Sequence, residues 1–158
     1  MKVGIIIGGQ SAEHEVSLQS GRSIFNAIDK SKYDISLIGI SKSGNWFLLD
    51  QENYLANEDD PDNISLATQS NQQIALVPFD GSHRIIHLEG GKMSEGLDVA
   101  FCIVHGTFGE DGGAQGYFSM LNLPFVGPDI LGAAVGMDKD TAKQILIHHG
   151  IAVADFVT

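Results

Sequence analysis

With a single cysteine, Cys102, the chain has no partner for an intrachain disulfide. That residue sits inside the apolar run "VAFCIVH", where a thiol is read as a small core side chain rather than a reactive one. Cations are scarce as well: 9 lysines and arginines stand against 20 aspartates and glutamates, for a formal charge of -11. A surface so acidic repels polyanions, so no nucleic-acid partner is expected, and no polybasic attachment to a membrane. No hydrophobic run reaches the roughly 18 residues of a membrane span. The opening "MKVGIII" has no small-residue cleavage site after it, so no signal peptide is read and a cytoplasmic, reducing setting is expected. Internal repeats and low-complexity tracts are missing too. What is present, 158 residues of which 43% are hydrophobic, suits one packed domain or one domain with part of another.

Hydrophobic patterning predicts an α/β fold, with an open, mainly parallel sheet flanked by helices. "KVGIII" is continuously apolar and closes on Gly8 and Gly9, which predicts a central strand covered on both faces. From Val16 to Ile28 the spacing turns helical, with Val16, Ser20, Ile24, Ala27 and Ile28 expected on one face and Leu18 and Phe25 widening it. "YDISLIGIS" is a second strand, completing a βαβ unit. Residues 44–92 read as an insertion at the sheet's edge, holding the short strand "GNWFLLD", the acidic loop "NEDDPDN" and a hairpin from "QIALVPF" and "HRIIHLEGG". "LDVAFCIVHG" is another buried strand, followed by a helix from Ala114 to Leu121 and a short strand at "FVG". "DILGAAVGM" forms a small helix. "MDKDTAKQILIHHG" forms a longer one, with Asp138 as N-cap, Gly150 as C-terminal stop, and Ala142, Ile145, Leu146 and His149 along one face. "IAVADFVT" begins an extended segment.

In open α/β sheets, ligands bind outside the carboxyl ends of the parallel strands. Two strands end there in polar, glycine-bearing turns, "III-GGQSAEHE" and "CIV-HGTFGEDGG". If those strands are neighbours, Glu13 and His105 face one crevice from different loops. The first turn has neither the Walker spacing nor G-x-G-x-x-G, so dinucleotide binding has little support. A carboxylate at a helix start is held ionised by the dipole, and Glu13 would then suit a ligand ammonium. Local sequence leaves a second reading open, in which Glu13 and Glu15 simply favour a helix N-terminus. His105, directly after a buried strand, can also be read as a satisfied core histidine, but glycines at 106, 109, 112 and 113 shift the balance, because they imply unusual backbone angles or close approach to a ligand. Glu110 and Asp111 read as exposed loop carboxylates that cap the next helix. His14, His148 and His149 lack metal-ligand spacing, and no metal-binding residue is expected in this chain. Lys139, in the first turn of a helix, is placed either toward solvent or to meet a phosphate.

Three motifs, "GGQSAEHEVSLQSG", "HGTFGEDGGAQG" and "LPFVGPDILGAAVGMDKDTAK", resemble the D-alanine–D-alanine ligases, ATP-grasp enzymes of peptidoglycan synthesis, in their longer A-type form. The resemblance spans essentially the whole chain and corresponds to roughly the first two-fifths of such a ligase. It implies a Rossmann-like pre-ATP-grasp domain over residues 1–127 and the beginning of the ATP-binding domain over residues 128–158. Glu13 falls on the residue that receives the ammonium of the first D-alanine, Val16 lies near its methyl group, and His105 lies close to the same substrate, which makes Glu13 and His105 the candidate catalytic residues. Lys139 falls on a nucleotide contact. The family uses ATP with Mg²⁺ (or Mn²⁺) to form an acyl phosphate, and is generally a homodimer. Most ligands for nucleotide and metal lie downstream in the family, so residues 1–158 alone are expected to be inactive. The alternative is a non-catalytic amino-acid-binding or dimerisation module. Pro128, Gly132 and Gly113 depart from the residues usual at their positions.

Overall fold

The structure is a computed structural model that describes residues 1–67 and 72–157. In chain order its elements are β1 (Lys2–Gly8), α1 (His14–Ala27), β2 (Asp34–Ile40), β3 (Trp46–Leu48), β4 (Leu55–Ala56), β5 (Ser65–Leu66), β6 (Gln72–Phe79), β7 (Ser82–His87), β8 (Met93–Glu95), β9 (Val99–Cys102), α2 (Gly113–Met120), α3 (Ile130–Met137) and α4 (Lys139–His148). The large sheet runs β8-β7-β6-β3-β2-β1-β9. β1 lies between β2 and β9 and is parallel to both, with Ile5 opposite Leu37 on one side and Phe101 on the other. This is the placement expected from its unbroken apolar run. Beyond β2 the sheet continues antiparallel through β3, β6, β7 and β8, so the region read as an edge insertion does extend the edge.

The predicted hairpin forms between β6 and β7, closing at the pair Phe79 and Ser82. Asp80 and Gly81 have φ of 47° and 72°, the left-handed pair that a two-residue hairpin loop requires. Ile74, Leu76 and Ile85 alternate inward from these strands. β8 and the small β4–β5 ladder, which flanks the acidic loop, have no counterpart in the sequence reading. Strands of two or three residues carry too little periodicity to be seen. "FVG" contributes a single parallel bridge, Phe125 to Ala100. No strand is assigned within residues 151–157, and Thr158 lies outside the described residues.

Two cores cover the sheet. Ile5, Ile7 and Leu37 pack with Leu18 and Phe25 of α1, while Ile6, Ile38 and Val104 pack with Phe118 of α2. The inward stripe of α1 is rotated from the expected one: it is His14, Ser17, Leu18, Gly21 and Phe25, and Val16 is 50% exposed. Small residues cause the rotation. Gly21 rests so closely on Ile7 that any Cβ would overlap it, and Ser17 hydrogen-bonds to the strands beneath. Asp129 and Asp138 cap α3 and α4, accepting from the Gly132 and Thr141 N–H groups. Gly150 closes α4 at φ 72°. α4 buries none of its residues, so its apolar face is presented outward. Among the described residues no helix is long and apolar enough to cross a membrane.

Candidate functional site

The paired glycines after β1 answer a packing demand. Gly8 and Gly9 have φ of 90° and 104°, and a Cβ on Gly9 would lie 2.6 Å from Val104 Cγ1. Gly9 N–H donates to the Ile40 carbonyl at 2.8 Å, which pins the turn to the end of β2. His14, only 4% exposed, places Nδ1 2.6 Å from the Gly9 carbonyl oxygen. A carbonyl only accepts, so Nδ1 carries the proton and His14 is a structural clasp. One turn further, the fully buried Ser17 accepts from Gly8 N–H at 2.8 Å and donates to the Ile103 carbonyl at 2.7 Å. The ends of β1 and β9 are thereby tied to α1.

Ser11 joins the two loops above that staple. Its Oγ donates to the His105 carbonyl at 2.7 Å and accepts from Glu13 N–H at 3.1 Å. Glu13 occupies the N-cap of α1 but makes no side-chain capping bond. Glu15 is taken by Lys42 at 2.5 Å. The Lys42 ammonium, by hydrogen bond and charge, holds the Glu15 carboxyl below its usual value against a small burial effect. Glu13 is thus the carboxylate of "SAEHE" with no ion-pair or hydrogen-bond partner for its side chain among the described residues. Its Oε2 lies over Gly106, where a Cβ would come within 2.6 Å of it, and Gly106 has φ 68°. A side chain at position 106 would both strain the backbone and displace Glu13.

On the second loop the imidazole of His105 is held from both sides. Nδ1 is 3.1 Å from Glu110 Oε1, and Nε2 is 3.3 Å from Ser20 Oγ. Glu110 Oε2 accepts from Gly106 N–H at 3.0 Å. Burial pushes the Glu110 carboxyl up, but the Gly106 N–H, the His105 ring and the Lys139 charge together outweigh it and hold it below its usual value. Phe108 takes a left-handed φ of 67°, uncommon for a bulky side chain. Asp111 holds it there, accepting from the N–H groups of Phe108 at 2.9 Å and Gly113 at 3.0 Å. Those bonds, Phe108 first, keep the Asp111 carboxyl low. Glu110 is therefore no free loop carboxylate: it orients His105. Asp111 sits at the start of α2 and braces Phe108 as well.

His105, Ser20, Glu110 and Lys139 line one cavity of about 620 Å³ at the β9 edge, walled by Gly132 and Met137 from α3. Glu13 and Val16 do not line it. Glu13 is linked to it through Ser11 and Gly106, and Val16 is exposed in the first turn of α1. Lys139 is exposed in the first turn of α4. Sequence reading missed Ser11, Ser20 and Glu110 as site residues. For Glu110 the signal was its place in the same glycine-rich loop as His105, but serines in polar loops carry no distinguishing mark. Among the described residues no group of three or more His, Cys, Asp or Glu side chains could hold a metal ion.

An open α/β domain whose carboxyl-end loops present an unpaired carboxylate beside a carboxylate-held imidazole offers a candidate site for an amine-bearing or anionic small molecule. The chain belongs to the family described as D-ala D-ala ligase N-terminus, whose profile matches residues 2–128. It is 52% identical over 153 residues to a D-alanine–D-alanine ligase of Oceanobacillus iheyensis, covering 97% of this chain and 42% of that protein. The D-alanine–D-alanine ligase from Coxiella burnetii superposes with a TM-score of 0.81 at 38% identity, covering 98% of this chain and 44% of that one. The Bacillus anthracis enzyme complexed with ATP superposes at 0.59 with 27% identity, covering 99% and 39%. The chain thus spans about two-fifths of the length of the relatives it matches.

Proposed function

We propose that residues 1–127 form the first-substrate domain of an ATP-grasp D-alanine–D-alanine ligase of peptidoglycan synthesis, and that residues 128–158 begin its ATP-binding domain. The observation that carries this reading is the Ser11 bridge, which sets the unpaired Glu13 carboxylate beside the loop of His105. Glu13 receives the ammonium of the first D-alanine. Val16, exposed one turn along the same helix, meets its methyl group. His105, fixed by Glu110 and Ser20, offers its ring to the same substrate. Glu13 and His105 are the catalytic contributions of this chain: they hold the amino acid so that its carboxylate points to the nucleotide.

Lys139 supports the nucleotide side of the proposal. Its ammonium has no ion-pair partner among the described residues and lines the His105 cavity, where a polyphosphate would neutralise it. ATP supplies the phosphoryl group that turns the D-alanine carboxylate into an acyl phosphate, and the amine of a second D-alanine displaces phosphate from it. Mg²⁺ needs several oxygen ligands, and among the described residues no group of three or more His, Cys, Asp or Glu side chains could hold it. A cytoplasmic setting fits ATP use. A homodimer fits the apolar side chains left outward on α3 and α4, such as Leu131 at 72% and Ile147 at 52% exposure.

The test is titration of the chain with D-alanine followed by backbone NMR. Saturable shifts confined to residues 8–17 and 105–113, lost in Glu13→Gln, are expected. Absence of shifts at millimolar D-alanine, or equal response to L-alanine, would refute the pocket. Sedimentation at several concentrations tests the dimer, which should appear as a discrete species rather than a continuous drift.

A further inference from the structure

On the α2 face of the sheet, away from α1, lies a second cavity of about 280 Å³. Its floor is made by Ile6, Ile40 and Val104 at the carboxyl ends of β1, β2 and β9. It shares Cys102, Val104 and Phe118 with the larger cavity, but none of Glu13, Val16, His105 or Lys139. We propose that this cavity binds a neutral, flat aromatic molecule of one or two fused rings carrying one hydrogen-bonding group.

Size comes first. A dry cavity of about 150 Å³ holds benzene, so 280 Å³ suits a bicyclic ring. Shape and chemistry follow from the walls. Trp46 and Tyr117 meet edge to face with centroids 5.6 Å apart, and Phe108 closes another side. Tyr117 Oη donates to the Leu76 carbonyl at 2.6 Å, so Tyr117 offers the cavity a ring rather than a free hydroxyl. Among the described residues no charged side chain lines the space, and an ion would lose its water there without a counter-charge. Cys102 adds no charge either, because burial pushes its thiol up to about 11. Besides the Trp46 indole N–H, one polar side chain is left over: the exposed amide of Gln10 at the mouth has no hydrogen-bond partner among the described residues. A planar ligand with a single donor or acceptor would satisfy it.

Indole is the probe. Added to the chain, it should shift the single tryptophan N–H and the methyls of Ile6, Ile40 and Val104 saturably. Ala114→Leu, which pushes three more carbons into the cavity, should weaken binding at least tenfold. Gln10→Ala changes only an exposed side chain, and should weaken indole several-fold while leaving toluene unchanged. That second variant keeps the test valid if Ala114→Leu fails to fold. Shifts that do not saturate, undiminished binding by a folded Ala114→Leu, equal loss of indole and toluene in Gln10→Ala, or tighter binding of indole-3-acetate than of indole would overturn the proposal.

Discussion

Replacing Ser17 by alanine should unfold this protein more readily than any surface change, because Ser17 is where three elements are tied together. Its hydroxyl is fully buried, accepts from Gly8 N–H at 2.8 Å and donates to the Ile103 carbonyl at 2.7 Å. Alanine fills nearly the same space but takes its bond from each of those backbone groups where water cannot easily replace it. Each orphaned buried group costs about 1–3 kcal/mol, so the pair should cost roughly 2–4 kcal/mol after partial relaxation. Against a total stability of about 5–15 kcal/mol that is a large share. For a chain of 158 residues it corresponds to a fall in Tm of roughly 5–15 °C. Urea denaturation followed by the fluorescence of Trp46, the lone tryptophan, measures it directly. Ser23→Ala is the control, since that hydroxyl only bonds back to the Gln19 carbonyl on an exposed face, and it should change stability by less than about 0.5 kcal/mol. If Ser17→Ala falls within that same margin, the account of Ser17 as the tie between β1, β9 and α1 is wrong.

Gly21→Ala should destabilise by about 1–3 kcal/mol, because the new Cβ overlaps Ile7 and α1 must lift from the sheet; thermal melts unchanged from wild type would contradict the close packing. His83 is 2% exposed and its Nε2 accepts from Leu97 N–H at 2.9 Å, so the fold needs the neutral ring. Burial first, then the Arg84 charge, lowers its pKa in the folded state. Its contribution is therefore fully present above the ordinary histidine value of about 6.5 and is lost as pH falls from there toward the lowered folded value. Urea midpoints from pH 7.5 to 5 should fall in wild type and fall less in His83→Gln; parallel curves would exclude His83. Cys102, with its thiol pushed up to about 11 by burial, should resist a thiol reagent at pH 8 until urea unfolds the chain. Rapid labelling of the native chain would show that the two cavities beside it are open to bulky reagents.

The sequence by itself determined the elements whose signals are local. β1 announced its central place because both of its faces are apolar, and the ends of α4 followed from Asp138 and Gly150, whose backbone preferences act within a turn. The two glycine-bearing turns were expected to share a crevice; β1 and β9 are adjacent and Ser11 joins the two loops, but Glu13 does not line the cavity of His105. What only the tertiary structure decided are the choices made by contacts distant in sequence. The helical face of α1 was misjudged because hydrophobicity favoured Val16, whereas close packing favoured Ser17 and Gly21, small residues whose value lies in what they let approach. Three acid–base side chains in "EHE" are equivalent to a local reading. The fold gave Glu15 to Lys42 and His14 to the Gly9 carbonyl, and left Glu13 unpaired over Gly106. Ser11 became a candidate site residue for the same reason: its hydrogen bond from one loop to the other has no trace in either loop alone, and exists only once the sheet brings their strand ends side by side.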